Sequence, residues 1–297
     1  MNTSPDYYPI VIISDTHLGI MNKGVGRLTE FLNNVRCDTL ILNGDIIDGM
    51  RRDVRHNRHF SEKQAQLFDL INRKIAEGMK VFYLPGNHDI KLRNQNILGK
   101  TILGLQFAET LEISDPQSRR LLSAHGDQFD TGVMPTAQSK LVNMAMDYFY
   151  ATATNFSAMV DNVSLRLFKR SVGLSSHVRT AVEARIGRKQ AYAQNGLDYA
   201  RAHGYDGVIC GHFHMPDIVT AKDGTIYRNS GDWVENFTAL TVDDKGNWDI
   251  LKWPERRKEL VLKGTFNAVS DPSDKAFRPQ TKKMIAAVQR IWPGRAL

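Results

Sequence analysis

The sequence predicts an α/β fold, and three observations support this prediction. Short apolar runs bounded by Gly, Asn or Asp recur along the chain, as is typical of buried strands. Amphipathic stretches with helical spacing of their apolar residues lie between several of these runs. Short polar motifs follow five of the runs, and polar residues at the carboxyl ends of such strands converge on one rim of an α/β sheet, where ligands bind.

The predicted elements can be placed in chain order. Strands are predicted at 9–14, 39–42, 80–84, 109–113, 120–124, 207–210, 217–221, 225–229, 236–242 and 247–251. A helix is predicted over 25–36, and Ser61 with Gln64 forms a capping box that opens a second helix, which stops at Gly78. A further helix is predicted over 94–105.

The segment 135–206 has a different pattern, because it lacks strand runs and its apolar residues recur at helical spacing. We therefore predict a helical insertion within a main domain at 1–251. Its Met and aromatic content favours helices that pack on the main domain or on a second copy, or a lid with a pliable apolar lining for a greasy substrate. Both histidines of this segment, His177 and His203, are predicted not to bind metal.

The positive charge of the chain is concentrated at its end. The chain has 297 residues, of which 42% are hydrophobic and 24% charged, and its formal net charge is +7. Residues 252–297 hold eleven Lys or Arg against four acidic residues, and eleven minus four equals the whole net charge. Such a charge leads us to expect a polyanionic partner. The candidates are a phosphorylated substrate, an anionic membrane and, with less support, nucleic acid. The amphipathic segment 281–292 suits an anionic membrane surface, or else belongs to a solvated tail.

The sequence also suggests a location. Residues 1–8 lack the basic-then-apolar pattern of a signal peptide. Apolar stretches stay well short of the roughly 18 residues that a membrane-spanning helix needs. The two cysteines, Cys37 and Cys210, are expected to be reduced. We therefore expect a cytoplasmic protein, with peripheral attachment to the inner membrane as an option.

Five motifs supply the candidate metal ligands. They are Asp15-Thr16-His17, Gly44-Asp45, Gly86-Asn87-His88-Asp89, His125-Gly126-Asp127 and Gly211-His212-Phe213-His214. The predicted ligands are Asp15, His17, Asp45, Asn87, His125, His212 and His214. Oxygen and imidazole ligands without thiolates suit Mn, Fe, Zn or Mg. Seven ligands exceed the needs of one ion, so two divalent cations are expected, with the Asp45 carboxylate as the bridge and a bridging hydroxide as the nucleophile for a phosphoryl group.

An Arg-rich run follows the second motif, and Asp48 lies between them. The run contains Arg51, Arg52, Arg55 and Arg58. It is too charged to be core, so it is either a solvated loop or a loop that grips phosphate through forked guanidinium donors.

This motif set resembles the calcineurin-like metallophosphoesterases over residues 1–251. The resemblance implies a four-layer α/β/β/α sandwich with a dinuclear site. By motif position, one metal would be held by Asp15, His17, Asp45 and His214, and the other by Asp45, Asn87, His125 and His212. The resemblance also implies that His88 protonates the leaving oxygen or stabilises the developing charge, and that Asp89 orients His88.

Within that family, the chain resembles the bacterial UDP-2,3-diacylglucosamine pyrophosphatases. The resemblance rests on the start of the first motif, on the His125-Gly126-Asp127 motif, on the long insertion before 211–216, and on the segment 229–233. It implies hydrolysis of a lipid A precursor with release of UMP. Of the metals that suit the ligands, Mn²⁺ is our leading expectation. The lipid A enzymes have Arg where this chain has His88, which favours as an alternative a distinct phosphodiesterase or phosphatase acting on nucleotides or nucleic acid. A non-catalytic scaffold would be expected to have lost ligands.

Overall fold

The structure, a computed structural model, describes residues 6–19, 24–48, 61–94, 96–130, 174–263, 265–267 and 283, with the backbone alone for 174–186. The strands in these ranges are Asp6–Ile13 (β1), Val35–Asn43 (β2), Lys80–Leu84 (β3), Thr101–Ile102 (β4), Leu105–Phe107 (β5), Leu111–Ser114 (β6), Arg120–Ser123 (β7), Gly207–Cys210 (β8), Asp217–Thr220 (β9), Ile226–Asn229 (β10), Thr238–Val242 (β11) and Trp248–Lys252 (β12). The α-helices are Val25–Asn34 (α1), Glu62–Ala76 (α2), Leu174–Ala202 (α3) and Trp253–Leu262 (α4), and short 3₁₀ helices lie at Ile90–Leu92 and Asp127–Phe129.

The strands form two sheets. The first has seven strands in the order β12-β11-β1-β2-β3-β5-β4, and the second has five in the order β6-β7-β8-β10-β9. β1, β2, β3 and β5 run parallel to one another, as do β7, β8 and β10. Parallel strands bring their carboxyl ends to one edge of each sheet. The predicted α/β class is therefore confirmed, with two sheets and several helices.

The strand β1 shows why its apolar run is continuous. Val11 and Ile13 belong to the hydrophobic cluster that contains the buried side chains of α1 and α2. Ile12, on the opposite face, belongs to a second cluster that draws residues from both sheets, including Ile41 and Ile209. Because successive side chains point to opposite faces, a strand that is covered on both sides must be apolar at every position.

The helix α2 begins as predicted. The Gln64 backbone N–H donates to Ser61 Oγ at 3.3 Å, and the Ser61 backbone N–H donates to Gln64 Oε1 at 2.9 Å. This reciprocal capping box satisfies two of the amide groups that a helix start leaves without partners. The face with Leu67, Phe68 and Ile71 is buried in the core, as the spacing predicts.

The predicted helix over 94–105 is wrong. The chain instead forms turns and the short strands β4 and β5, and β5 extends the first sheet beside β3. Gly99, Leu103 and Gly104 all have positive φ, which a right-handed helix does not contain. Pairing with β3 outweighs the weak local preference for helix.

The helix α4 was not predicted, because its residues lie in the basic segment after 251. Its Trp253 is fully buried, and the Trp253 ring lies 5.6 Å from the Phe31 ring of α1. Leu260 is also buried in the main cluster. The first part of the basic segment therefore packs on the core. Residues 281–292, whose amphipathic pattern is described above, lie outside the described residues apart from Lys283.

The chain divides into two compact units. One contains Met1–Asp127 and Leu197–Leu297, and the other contains Gln128–Gly196. In the second unit the Asn195 side chain donates to the Phe129 carbonyl oxygen at 2.9 Å. The predicted insertion spans 135–206, and its part before α3, residues 135–173, lies outside the described residues. Among the helices described, each is too short or too polar to cross a membrane.

Candidate metal centre

All five motifs lie in loops that follow strands. Three loops follow β1, β2 and β3 of the seven-stranded sheet, and two follow β7 and β8 of the five-stranded sheet. Backbone hydrogen bonds join neighbouring loops, from Asp15 N–H to the Gly44 carbonyl at 3.0 Å and from Gly211 N–H to the His125 carbonyl at 2.9 Å. The two sheets therefore deliver the motifs to one place.

The first group of donors comes from the first and last motifs. His214 Nε2 lies 3.2 Å from Asp15 Oδ1, and His17 Nε2 lies 3.4 Å from His214 Nε2. One donor atom of each residue lies within 4.8 Å of the other two, which is close enough to share a cation. Asp15 is fully buried, and His17 is 8% exposed.

The second group is centred on His125. His125 Nε2 lies 3.4 Å from Asp45 Oδ2 and 3.3 Å from Asn87 Oδ1. The same Asn87 oxygen lies 2.9 Å from His212 Nδ1. Donor atoms of Asp15, Asp45 and His125 all lie within 4.8 Å of one another. The structure thus brings the seven predicted ligands into one cluster, in which Asp15 is common to both groups and Asp45, the expected bridge, belongs to one.

The backbone of the ligand loops is strained. Eight non-glycine residues in the described part of the chain have positive φ, and five of them are predicted ligands. These are Asp15, His17, Asp45, His212 and His214, with φ between 45° and 64°. A left-handed conformation costs an L-residue roughly 1–2 kcal/mol, and such strain clusters at functional sites. The surrounding fold must therefore hold these residues in place.

Glycines let the ligands approach the backbone closely. A Cβ added to Gly44 would lie 2.2 Å from His125 Nδ1, and one added to Gly86 would lie 2.2 Å from Asp45 Oδ1. A Cβ on Gly211 would meet Asp15 Oδ2 at 2.6 Å. Each of these glycines immediately precedes a predicted ligand, so the Gly of these three motifs serves a steric purpose.

The residue beside His88 is Asp48. His88 Nδ1 lies 3.2 Å from Asp48 Oδ2, and His17 Nδ1 lies 3.4 Å from the same oxygen. Asp89, which is expected to orient His88, has its described contacts with the backbone of 45, 46 and 86 and with Tyr83, so the role expected for it stays a prediction. The sequence could have indicated Asp48 as a site residue, because it follows the predicted ligand Asp45 by three residues in the same loop.

Asp89 ties two ligand loops to the core. Its carboxylate accepts hydrogen bonds from the Ile46 N–H at 3.0 Å and from the Tyr83 hydroxyl at 2.6 Å, and also from the Gly86 N–H. Burial and the neighbouring Asp45 charge raise the pKa of Asp89 to about 6. Asp89 therefore fixes the backbone of the second and third motifs.

The carboxylates and imidazoles of the site strongly affect one another. Burial opposes a charge on His125, but the Asp45 carboxylate outweighs burial and raises the pKa of His125 to about 10. Asp15 outweighs burial in the same way and raises the pKa of His214 to about 9. Burial would raise the pKa of Asp45, but His125 and the other imidazoles hold it well below its usual range. These mutual interactions favour the charged forms of Asp45, His125 and His214.

The donor set fits a pair of divalent cations. His17 and His214 present two Nε2 atoms to each other at 3.4 Å, and two imidazole nitrogens converge on the single oxygen of Asn87. Lone pairs that face one another in this way are satisfied by a shared proton or by a shared cation. Carboxylate, amide oxygen and imidazole donors suit Mn, Fe, Zn or Mg.

Other residues position the ligands and give no signal in the sequence. The Asn43 carbonyl oxygen lies 2.9 Å from His125 Nδ1, which orients the ring. The Asn236 side chain donates to the His214 carbonyl oxygen at 2.8 Å. The predicted phosphate-binding residues Arg51, Arg52, Arg55 and Arg58 lie outside the described residues.

Solved structures offer distant likenesses. A predicted phosphoesterase from Streptococcus pneumoniae is 15% identical, with 82% of this chain and 89% of that chain covered and a TM-score of 0.34. Zinc-bound Vps29 from Entamoeba histolytica is 14% identical, with 82% and 98% covered and a TM-score of 0.33. A dimetal phosphatase from Danio rerio is 12% identical, with 84% and 99% covered and a TM-score of 0.38. At such values these likenesses carry no argument about function.

The family model supplies the stronger finding. No curated protein matches the chain. The model of the calcineurin-like phosphoesterases matches residues 8–216, which is more than half of the chain and includes all five motifs. The chain therefore belongs to the calcineurin-like phosphoesterase family and is a metallophosphoesterase.

Proposed function

We propose that this chain hydrolyses phosphoric ester or anhydride bonds at a centre of two divalent cations, with Mn²⁺ as the leading metal and Fe, Zn or Mg as alternatives. The observation that carries the proposal is the convergence of two donor groups at one edge, Asp15-His17-His214 and Asp15-Asp45-His125. When bound, a pair of divalent cations supplies charge that stabilises phosphoryl oxygens and acidifies a water molecule.

His88 is the proposed proton donor to the leaving oxygen. Its Nδ1 lies 3.2 Å from Asp48 Oδ2 and its Nε2 lies 3.9 Å from Asp45 Oδ2, so Nε2 is the nitrogen on the side of the expected cations and is proposed to carry the transferred proton. Burial lowers the pKa of His88, but Asp48 and the Asp45 charge outweigh burial and raise it. Bound cations would act in the opposite direction, which keeps the ring able to release its proton.

The leading substrate is UDP-2,3-diacylglucosamine, with UMP as one product. The support is the resemblance of the motifs to the lipid A enzymes, together with the net charge of +7, which favours a diphosphate. The alternative is a phosphodiesterase or phosphatase acting on nucleotides or nucleic acid. It is favoured by His88, which stands where the lipid A enzymes have Arg.

The basic segment 252–297 supports a location at an anionic membrane surface, where a lipid-linked nucleotide would be found. The protein should sediment with vesicles that contain phosphatidylglycerol and stay in the supernatant with phosphatidylcholine alone. Salt should release it, because screening weakens charge attraction. Equal sedimentation with both vesicle types would argue against this location.

One experiment separates the substrates. Protein loaded with Mn²⁺ is incubated with UDP-2,3-diacylglucosamine in detergent, with a nucleotide panel and with single-stranded DNA, and the products are identified by mass spectrometry. UMP from the first substrate is the expected result. Cleavage of nucleotides or DNA without UMP would favour the alternative substrate class.

A pair of variants tests the centre itself. Asp45→Asn should abolish hydrolysis and lower the metal content, whereas Asp249→Asn, an exposed change on β12, should leave both unaltered. Hydrolysis at the wild-type rate by Asp45→Asn would contradict the proposal.

A further inference from the structure

Two edges of the Arg93 guanidinium donate hydrogen bonds to neighbouring groups. Nε and Nη2 donate to the Pro85 carbonyl oxygen at 3.2 Å and 2.9 Å. Nη1 and Nη2 donate to the two carboxylate oxygens of Asp127, at 2.8 Å and 2.5 Å. Four of the five guanidinium N–H groups are used in these bonds, and a planar fork held in this way fixes the positions of its partners. No earlier step of the proposed reaction uses Arg93.

The two partners belong to different ligand loops. Pro85 directly precedes the third motif, which carries Asn87, and Asp127 follows His125 by two residues. The third motif follows β3 of the first sheet, whereas His125 follows β7 of the second sheet. Arg93 therefore links two loops that follow strands of different sheets.

The joined loops present donors that face each other. Asn87 Oδ1 lies 3.3 Å from His125 Nε2, and both belong to the ligand set expected for the second cation. A change in the loop separation would alter this distance directly. The first donor group, Asp15-His17-His214, comes from other loops and has no described contact with Arg93.

The pair is also buried enough for its charges to matter. The side chains of Arg93 and Asp127 are 21% and 18% exposed. Both oxygens of the Asp127 carboxylate accept hydrogen bonds from Arg93. Loss of Arg93 would leave this largely buried carboxylate without its bidentate partner beside the cluster, a change that proteins tolerate poorly.

We infer that Arg93 and Asp127 form a positioning pair that sets the separation of Asn87 and His125, and thereby the affinity of the site for its second cation. The inference rests on the proposed two-cation function. Residues that orient metal ligands change metal affinity by about 10- to 100-fold when they are replaced.

The test is a titration with Mn²⁺. Calorimetry measures the number of ions bound and their affinities, and electron paramagnetic resonance distinguishes spin-coupled pairs of Mn²⁺ from single ions. The wild type should bind two ions and show a coupled signal. Arg93→Gln and Asp127→Asn should each bind the first ion normally and the second at least about tenfold more weakly. The double variant should be no weaker than either single one, because the two residues act as one unit. Arg93→Lys should restore only part of the affinity, since Lys lacks the fork.

A matched pair elsewhere controls for stability. Arg256 donates to both oxygens of Asp6 at 2.6 Å, and these side chains are 26% and 21% exposed. Asp6 begins β1, on the order of 25 Å from the motif at the opposite end of that strand. Arg256→Gln should lower the melting temperature without weakening the second ion.

Three results would overturn the inference. The first is wild-type affinity for the second ion in Arg93→Gln. The second is equal weakening in Arg256→Gln, which would indicate a general effect of stability. The third is binding of one ion or none by the wild type, which would remove the proposed two-cation function as well.

Discussion

His88 illustrates what a single residue gains from its neighbours. Its ring lies 4.7 Å from the His17 ring in an edge-to-face arrangement. The Nδ1 atoms of both imidazoles lie within 3.4 Å of the same Asp48 oxygen. The sequence identifies His88 as the residue between Asn87 and Asp89. Its partner is decided by how the second loop folds back, because Asp48 and His88 come from different strand ends.

His88→Ala should reduce turnover by roughly 10²- to 10⁴-fold, the usual contribution of a positioned proton donor. Metal content should not change, because His88 is outside the predicted ligand set. Steady-state kinetics and elemental analysis measure the two quantities. His203→Ala is the matched control, since His203 is exposed on the loop after α3 and stacks on Tyr199. Unchanged turnover in His88→Ala would remove its assigned role.

At the scale of elements, the strand–loop junctions decide the geometry of the site. Gly44 follows β2 with φ of +86° and lies against the His125 ring. Gly99, in the turn before β4, also has positive φ, but an added Cβ there would meet nothing within 4 Å. The two glycines share a backbone conformation and differ in their surroundings.

Gly99→Ala should lower the free energy of unfolding by about 1–2 kcal/mol, the cost of a left-handed alanine. Gly44→Ala should lower it by about 2–5 kcal/mol, because overpacking against His125 adds to that cost. Urea denaturation gives both values, and metal titration should show weakened binding only for Gly44→Ala. An equal decrease in the free energy of unfolding for the two variants would show that overpacking against His125 adds nothing to the cost of Gly44→Ala.

At the scale of the whole molecule, polar contacts join the two sheets at the end opposite β4 as well as at the metal centre, and those around Asp115 are an example. Asp115, in the turn after β6, accepts from Trp248 Nε1 on β12 at 3.0 Å and from Arg119 Nε at 2.7 Å. Arg228 of β10 lies over the same Trp248 ring, 4.8 Å from its centroid. Burial lowers the pKa of Arg228 to about 10. A carboxylate and an aromatic ring thus join the two sheets.

Asp115→Asn should lower the free energy of unfolding by about 1.5–3 kcal/mol near neutral pH, because charge-assisted hydrogen bonds are lost. Burial would raise the pKa of Asp115, but Arg119 and Trp248 outweigh it and lower the pKa in the folded state. The stabilisation is therefore complete above the unfolded pKa, and the difference between variant and wild type should shrink below about pH 4.

Urea denaturation at several pH values measures this difference. Asp249→Asn, exposed on the same strand as Trp248, is the control and should change stability by less than about 0.5 kcal/mol. A difference for Asp115→Asn that stays constant down to acid pH would contradict the assigned charge effect.

The sequence alone determined the α/β class, the capped start of α2 and the strand ends that carry the motifs. These features depend on neighbours along the chain: apolar runs, turn residues and the Ser61–Gln64 spacing. The same local signals predicted a helix over 94–105, where β5 forms instead. An adjacent strand, β3, supplies its hydrogen bonds, and no pattern within 94–105 reveals that partner.

Only the tertiary structure decided which side chains meet. Asp48 faces His88, Asp89 holds the loop backbones, and Arg93 spans two loops from different sheets. Each contact joins residues whose positions depend on how two loops approach each other, and that approach is set by the packing of whole sheets. Residue types and their order are local properties of the chain, whereas distances of 3 Å between loops arise only when the core has formed.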